Sequence, residues 1–477
     1  MVKATTILPF FLFLVSLYLI IIENIVHSFE EKKVFNVQMW QRKQQLGTRS
    51  CILPVSRQEK GAVILEMKDR GHCSKNKIDW NRRLRKQIIL DDLRVLSMQN
   101  RIRKVVSSHI LEASETQVPL TSGINLQTLN YIVNIGLSSK NMTVIVDTGS
   151  DLTWVQCEPC MSCYNQQGPI FKPSTSSSYQ SILCNSTTCQ SLQSVTGNTG
   201  TCGGSNSSTC NYVVNYGDGS YTNGELGLEH LTFGGISVSS FVFGCGRNNK
   251  GLFGGVSGLM GLGRSYLSMI SQTSATFGGV FSYCLPEGGA SGSLVMGNES
   301  SVFKNVTPIA YTNMVPNPQL SNFYILNLTG IDVGGVALQT LSFGNGGILI
   351  DSGTVISRLA PSVYKALKAE FLKQFSGFPS APGFSLLDTC FNLTGHEEVS
   401  IPTITMYFEG NAKLNVDVTG ILYMVKEDAS QVCLALASLS DESEIGIVGN
   451  FQQRNQRVIY DTKQSKVGFA GEPCNFI

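Results

Sequence analysis

The sequence lacks a strong net charge of either sign and contains little proline. Its 477 residues include 36 Lys/Arg and 34 Asp/Glu, so the formal net charge is only +2, which gives the whole chain no case for nucleic-acid binding. It has only 15 prolines against 47 glycines, and 42% of its residues are hydrophobic. This composition excludes intrinsic disorder and collagen-like repetition, and the length allows at least one large core.

Side chains for several kinds of hydrolysis are also scarce. Beyond residue 115 the only histidines are His230 and His396. There is no Gly-x-Ser-x-Gly elbow and no His-Glu-x-x-His pair, so the sequence predicts neither a serine hydrolase nor a zinc peptidase.

The N-terminus is typical of a secretory signal. An apolar run from Ile7 to Ile22 follows Lys3 and precedes a small residue at Ser28, so residues 1–28 are interpreted as a signal peptide. The run is shorter than the roughly 20 apolar residues of a membrane-spanning helix, and an uncleaved anchor is the alternative. No second run of that length follows, so we expect no stable membrane insertion after cleavage.

Charge is divided unevenly along the chain. Residues 29–115 hold 19 Lys/Arg and 10 Asp/Glu, a net charge of +9, whereas residues 116–477 hold 16 and 23, a net charge of −7. Residues 75–111 are predicted to form an amphipathic, solvated helix. Its basic residues could contact phosphates, but nucleic acid is not expected as a partner because few aromatics lie among them and the secretory route avoids nucleic acid.

Cysteines and glycosylation sequons agree with that route. Two of the 14 cysteines, Cys51 and Cys73, precede residue 116, and the remaining twelve can close six disulfides. The cluster that begins Cys157-x-x-Cys160-x-x-Cys163 could instead start an iron–sulfur or zinc site, but Gln167 stands where the ferredoxin-like pattern needs cysteine. Disulfides are therefore predicted, with no metal and no cofactor. The candidate glycosylation sites are Asn141, Asn185, Asn206, Asn298, Asn305, Asn327 and Asn392.

After about residue 118 the pattern indicates a mainly β fold. Short β-branched and aromatic runs alternate with Gly, Asn and Ser. One helix is predicted from Pro361 to Phe375, with Val363, Leu367, Phe371 and Leu372 on a shared face.

This part of the chain repeats itself. Residues 144–150, VIVDTGS, match residues 348–354, ILIDSGT, and about a hundred residues after each comes a Gly-rich piece, 258–263 and 446–450. A single Asp-Thr-Gly would be an ordinary turn. Two copies in matched settings predict two similar halves, each contributing one aspartate, Asp147 and Asp351.

Two carboxylates facing each other can act as an acid and a base. They cannot both ionise easily, so they share a proton, and the pKa of one rises while the pKa of the other falls. The ionised group can take a proton from water while the protonated group donates to a carbonyl oxygen, which needs no metal and no covalent adduct.

These motifs resemble those of the pepsin-like aspartic proteases, in particular the atypical plant group that includes nepenthesins. The resemblance covers nearly all of residues 119–477. It implies a fold of two β-barrel lobes, residues 119–308 and 309–477, related by a pseudo-twofold axis and separated by the active-site cleft. It implies that Asp147 and Asp351 are catalytic and that Thr148, Gly149, Ser150, Ser352, Gly353 and Thr354 support them.

The resemblance also implies a flap, a hairpin that closes over bound peptide. Its tip would carry Tyr216, Gly217, Asp218 and Gly219, and Trp154 would hydrogen-bond the tyrosine. It further suggests the disulfides Cys157–Cys160, Cys163–Cys245, Cys184–Cys210, Cys189–Cys202, Cys284–Cys474 and Cys390–Cys433.

Residues 29–118, here called the leader, would be a removable propiece. We hypothesise that its basic helix lies across the acidic body at neutral pH and is released when carboxylates protonate. The expected function is a secreted, monomeric aspartic endopeptidase, made as a zymogen, that cleaves peptides or proteins at acidic pH and is blocked by pepstatin-like inhibitors. The extracellular space, the cell wall and the vacuole remain as destinations. The alternative is a non-catalytic, inhibitor-like binding protein on the same fold.

Overall fold

The fold is mainly β, as predicted. The computed structural model describes residues 31–45, 55–69, 80–107 and 130–474, apart from 204–207, 217–218, 252, 288–289, 299, 304–305, 341 and 345. In these residues no helix has the length and apolar character needed to cross a membrane. The predicted signal peptide, Cys51 and Cys73 lie outside the described residues.

The described part of the leader contributes three strands and two helices. They are β1 (Lys32–Asn36), α1 (Val37–Gln45), β2 (Ser56–Glu59), β3 (Ala62–Asp69) and α2 (Trp80–Ser107). Helix α2 confirms the predicted helix within residues 80–107, and the remainder of the predicted range lies outside the described residues.

Residues 130–296 form the first half of the body. Its elements are β4 (Tyr131–Leu137), β5 (Lys140–Asp147), β6 (Trp154–Gln156), β7 (Gln180–Ser181), α3 (Thr187–Gln190), α4 (Leu192–Thr196), β8 (Thr201–Cys202), β9 (Cys210–Asn215), β10 (Tyr221–Phe233), β11 (Ile236–Lys250), β12 (Gly258–Gly261), α5 (Met269–Gln272), α6 (Ser274–Phe277), β13 (Val280–Cys284) and β14 (Ser291–Met296).

Residues 310–471 form the second half. Its elements are β15 (Ala310–Asn313), β16 (Ile325–Leu326), β17 (Leu328–Val333), β18 (Val336–Ala337), β19 (Ile348–Ile350), β20 (Ser357–Leu359), α7 (Pro361–Gln374), β21 (Ser380–Ala381), β22 (Cys390–Phe391), β23 (Glu398–Pro402), β24 (Ile404–Phe408), β25 (Ala412–Asn415), β26 (Leu422–Met424), β27 (Val432–Leu434), β28 (Leu436–Ser438), β29 (Gly446–Val448), β30 (Gln456–Asp461) and β31 (Lys466–Gly471).

The sequence repeat corresponds to a structural repeat. In the first half β5 pairs in parallel with β12, β12 pairs antiparallel with β6, and β6 pairs in parallel with β11. In the second half β19, β29, β20 and β28 pair in the same order and with the same directions. The two short Gly-rich pieces form β12 and β29, and each pairs in parallel with the strand that leads to an aspartate.

A large sheet joins the two halves and includes the leader. Strands β30 and β31 from the end of the chain pair with each other, and β30 pairs with β13 of the first half. Leader strand β3 lies between β14 and β4, and its Val63, Leu65 and Met67 are fully buried in the main core. Through these alternate apolar residues β3 packs into the core as part of the body's sheet.

Leader strand β1 pairs antiparallel with β23 in the second half. Phe35 and the following Val37 are 3% and 1% exposed and pack into the main core. In the described part of the chain β1 is the only strand that pairs with β23.

Helix α7 begins at Pro361, as predicted, and buries Val363, Leu367 and Phe371. The prediction for Leu372 was wrong, because this side chain is 40% exposed. Successive residues in a helix are rotated by about 100°, so Leu372 lies to one side of the face that Phe371 buries.

Candidate active site

Two buried aspartates lie at the ends of the repeated strands. Asp147 ends β5 and is fully buried, and Asp351 follows β19 and is 2% exposed. The apolar residues before each aspartate are buried in the sheet, so the backbone delivers each carboxylate into the space between the two halves. The structure therefore brings together the pair that the sequence repeat predicted.

Each carboxylate accepts hydrogen bonds from two donors at equivalent positions of its motif. For Asp147, the Gly149 N–H donates to Oδ1 at 3.0 Å and the Ser150 hydroxyl donates to Oδ2 at 2.7 Å. For Asp351, the Gly353 N–H donates to Oδ1 at 2.9 Å and the Thr354 hydroxyl donates to Oδ2 at 2.6 Å. Hydrogen bonds to the ionised form favour ionisation, which offsets the cost of burying each carboxylate.

The glycines of the two motifs allow the carboxylates to approach each other. A Cβ at position 149 would lie 2.8 Å from Asp351 Oδ1, and a Cβ at position 353 would clash with Asp147 Oδ1. A side chain at either position would therefore separate the two aspartates.

Thr148 and Ser352 link the two loops. The Ser352 N–H donates to Thr148 Oγ1 at 2.9 Å, and the Thr148 N–H donates to Ser352 Oγ at 3.1 Å. The Gln453 side chain, which the sequence analysis did not single out, donates to the backbone oxygens of Val448 and Asp351 at 2.8 and 3.4 Å. No motif marked Gln453, because its contacts depend on the fold of residues 450–453.

Arg94 of leader helix α2 lies between the two carboxylates. Its Nη2 is 2.7 Å from Asp147 Oδ1 and 3.0 Å from Asp351 Oδ2, so one nitrogen binds both groups. Burial alone would raise the pKa of Asp351, but Arg94, the Thr354 hydroxyl and the Gly353 N–H hold it below its ordinary value. Burial opposes the charge of Arg94, yet the two carboxylates raise its pKa further.

The rest of α2 is bound through both polar and apolar side chains. Gln99, which is 2% exposed, donates to the Ile445 oxygen at 2.6 Å and accepts from the Ile445 N–H at 3.2 Å. Ile89 and Leu93, apolar residues of the predicted amphipathic helix, are 45% and 37% exposed, whereas Val95, Met98 and Ile102 are buried. The interpretation of α2 as a solvated helix was wrong, because its polar side faces carboxylates and backbone groups in the cleft.

The predicted partner of the flap tyrosine is in place. The Trp154 indole Nε1–H donates to Tyr216 Oη at 2.7 Å. Phe253, which the sequence analysis missed, contacts both rings edge-on, with centroid distances of 4.8 and 5.7 Å. Burial raises the pKa of Tyr216 well above its ordinary value, so the hydroxyl stays neutral. Gly217 and Asp218 lie outside the described residues, and Gly219, with φ of 77°, closes the turn.

Asp151 is a further buried carboxylate beside the first motif. It is 2% exposed, and its Oδ1 accepts from the Ser265 N–H at 2.8 Å. Burial raises the pKa of Asp151 to about 6, while the Ser265 N–H and the charge of Arg101 oppose the increase. The sequence analysis did not single out this residue, because its burial depends on the loop at Ser265.

The cysteine cluster forms disulfides, but four of the suggested pairings were wrong. The observed bonds are Cys157–Cys245, Cys160–Cys163, Cys184–Cys202 and Cys189–Cys210, together with the two suggested bonds Cys284–Cys474 and Cys390–Cys433.

Strand pairing and burial explain the difference. Because β6 and β11 are parallel neighbours, Cys157 lies beside Cys245, with a Cα–Cα distance of 5.3 Å. Cys189 and Cys210 are both buried and pair in the core. Cys202 is exposed and pairs with Cys184 at the surface.

The predicted glycosylation sites differ in accessibility. Asn392 is half-buried, and Asn206 and Asn305 lie outside the described residues. The exposed sites are Asn141, Asn185, Asn298 and Asn327.

Comparison with known families places the chain among aspartic proteases and related proteins. Residues 131–298 match a family model described as xylanase inhibitor N-terminal, and residues 323–471 match its C-terminal counterpart. An aspartyl protease family protein of Arabidopsis thaliana is 44% identical, with 81% of each chain covered. Aspartic proteinase nepenthesin-1 of Nepenthes gracilis is 36% identical, covering 72% of this chain and 78% of the relative.

Solved structures show the same fold at low sequence identity. The crystal structure of edgp matches with a TM-score of 0.58 at 20% identity, over 72% of this chain and 92% of the other. Basic 7S globulin from soybean matches with a TM-score of 0.56 at 21% identity, over 72% of this chain and 93% of the other.

Proposed function

Because the chain belongs to the pepsin-like aspartic protease family, with relatives of the nepenthesin group, we propose that it is a secreted aspartic endopeptidase made as a zymogen. Its substrates are peptides and proteins, cleaved at acidic pH. The observation that carries the proposal is the pair Asp147 and Asp351, each held by matched donors and close enough for one guanidinium nitrogen to bind both.

The chemistry follows from that proximity. Without Arg94 the two carboxylates share one proton, so one acts as a base and the other as an acid. A water molecule between them attacks the peptide carbonyl carbon while its proton passes to the ionised aspartate. The protonated aspartate donates to the carbonyl oxygen, and the tetrahedral intermediate then collapses with proton transfer to the leaving nitrogen.

The leader keeps this site inactive. Helix α2 lies where a substrate would bind, and the positive charge of Arg94 contacts both carboxylates. In the free enzyme the two aspartates share one proton, and binding of the leader releases that proton. By linkage, leader binding is strongest at neutral pH and weakens as the pH falls through the raised pKa of the free pair.

The test is acid-dependent cleavage of a denatured protein by the full secreted chain. Cleavage should appear on acidification, be blocked by a pepstatin-type inhibitor, and be lost in Asp147→Asn and Asp351→Asn. The matched control is Asp428→Asn, which changes an exposed aspartate and should remain active. Full activity of either dyad variant would overturn the mechanism.

A second candidate is a non-catalytic binding protein, because the matching family models are described as xylanase inhibitor domains. Both aspartates, their matched donors and the Tyr216–Trp154 bond favour the peptidase. The assay above separates the two candidates, since a binding protein would cleave nothing at any pH after leader removal.

The secretory route, glycosylation and monomeric state remain predictions. Six disulfides and four exposed sequons among the described residues support an oxidising route. N-terminal sequencing of the secreted protein would identify both the signal cleavage site and the end of the leader.

A further inference from the structure

Arg358 is a buried cation whose acidic partners both belong to the leader. It lies on β20 and is 1% exposed. Its Nη2 is 3.0 Å from Asp91 Oδ2 and 3.8 Å from Asp92 Oδ1, and both aspartates are on α2. Within the described residues no carboxylate of the body forms an ion pair with Arg358. Removal of the leader therefore leaves this guanidinium without a counter-ion.

The site that binds Asp91 is built for a carboxylate. In addition to the Arg358 contact, Asp91 Oδ1 accepts from the Val355 N–H at 2.5 Å and Oδ2 accepts from the Ile356 N–H at 3.1 Å. Arg358 Nη1 donates to the Ile356 oxygen at 2.6 Å, which fixes the guanidinium against the backbone. Asp91 is 4% exposed, so the carboxylate is almost fully enclosed.

The carboxylate site is close to the catalytic pair. Val355 and Ile356 directly follow Thr354, which binds Asp351. Asp91 precedes Arg94 by three residues, which is about 4.5 Å along a helix axis. An extended peptide advances roughly 3.3 Å per residue, so this separation corresponds to about one or two residues.

We infer that Arg358 and the Val355 and Ile356 N–H groups form a substrate subsite for an aspartate or glutamate side chain, one or two residues from the scissile bond. The leader occupies this subsite with Asp91 as it occupies the catalytic pair with Arg94. The inference rests on the proposed peptidase function, because it assigns a specificity to that cleft.

The physical reason is that removal of the leader takes away the carboxylates that pair with Arg358 among the described residues. An acidic side chain restores the ion pair and both backbone hydrogen bonds. An amide of the same shape loses the ion pair and has only one acceptor oxygen for the two backbone N–H groups. A hydrogen bond between charged groups is worth enough to change binding by about tenfold or more.

The experiment uses the mature enzyme released from the full chain and peptides that differ only near one cleavage site. Each peptide carries Asp or Asn at one position within two residues of the cut. The reference peptide carries alanine at each of these positions and is otherwise identical. Assays at pH 5 keep most of the peptide aspartate ionised, since its ordinary pKa is about 3.9. At one position we expect kcat/KM to be about tenfold or more higher with Asp than with Asn.

The Arg358→Gln variant should bring that ratio to about 1, whatever its absolute rate. Lys365→Gln removes the same charge from an exposed site on α7 and should keep the wild-type ratio. Equal cleavage of Asp and Asn peptides by the wild-type enzyme at every position would overturn the inference, and this comparison needs no variant.

A binding assay separates failure of the subsite from failure of the peptidase assignment. If the alanine reference is not cleaved, the peptidase proposal fails. Calorimetry with the leader-free Asp351→Asn protein then still tests the subsite, since the Asp peptide should bind about tenfold more tightly than the Asn peptide. Equal affinities would show that Arg358 serves only to hold the leader.

Discussion

Thr148 and Ser352 hydrogen-bond reciprocally across the interface between the two halves. The N–H of each residue donates to the hydroxyl oxygen of the other, at 3.1 and 2.9 Å. Each bond also fixes the position of the neighbouring aspartate, because Thr148 follows Asp147 and Ser352 follows Asp351. The distance between the two carboxylates is therefore set by the same residues that join the two loops.

The Ser352→Ala substitution should loosen this arrangement. It leaves the buried Thr148 N–H without an acceptor, which costs about 1–3 kcal/mol. We expect the free energy of unfolding to fall by about 2 kcal/mol and kcat/KM to fall with it, measured by denaturant titration and peptide hydrolysis. Ser352→Thr keeps the hydroxyl and should retain most of the activity. Equal losses in both variants would contradict the role of the hydroxyl.

Arg94→Gln should weaken inhibition by the leader. The variant removes the positive charge that contacts both aspartates, so α2 should leave the cleft at a higher pH, by about one pH unit or more. The onset of activity during a stepwise acidification of the full chain measures this effect.

Arg103→Gln provides the control for that experiment. Arg103 also lies on α2, but its 3.1 Å ion pair with Glu444 involves a side chain that is 60% exposed, so the pair contributes little. We expect its onset to match the wild type. An unchanged onset for Arg94→Gln would show that other contacts of the leader control release.

Tyr216→Phe should reduce activity through the loss of one hydrogen bond. The variant leaves the fully buried Trp154 indole N–H without its acceptor. We expect kcat/KM to fall by about tenfold, in keeping with about 1.4 kcal/mol for a lost buried bond. In a double-mutant cycle with Trp154→Phe, the two effects should not add. Full additivity would mean that the residues act independently.

Asp151→Asn should change how stability depends on pH. The folded pKa of Asp151, about 6, lies above the ordinary 3.8, so the wild type is stabilised at low pH and loses that stability as the pH rises through 6. The amide cannot ionise, so at pH 7.5 the full-length variant should be more stable than the wild type, by up to about 3 kcal/mol. Thermal unfolding from pH 4 to pH 8 tests this, and parallel curves for the two proteins would contradict it.

The sequence repeat was sufficient to predict two similar halves and to pair Asp147 with Asp351, whereas the fold of two β-barrel lobes was implied by the family resemblance. This succeeded because the relevant signals are local: an apolar strand, an aspartate and a glycine turn, each followed by a Gly-rich strand at a fixed separation. The matched pairing of β5 with β12 and of β19 with β29 follows from those signals.

Other features depend on contacts between distant segments. The sequence predicted an amphipathic α2, and its Ile88 and Ile102 are buried, but nothing in the pattern marked Arg94 and Gln99 as residues that bind the body. Hydrophobic periodicity identifies only the apolar contacts of a helix, and α2 also binds buried carboxylates and backbone groups. Disulfide pairing failed similarly, since it depends on which strands are neighbours.

The bond between Asn36 and Glu398 joins residues that are 362 positions apart, within the pairing of β1 with β23. During synthesis the ribosome makes β1 long before β23, because Asn36 and Glu398 are 362 positions apart. Strand β1 therefore cannot pair with β23 until the residues between them have been made. The pairing of β1 with β23 can form only after synthesis has reached the second half. In a chain truncated before β23, strand β1 would lack its partner strand.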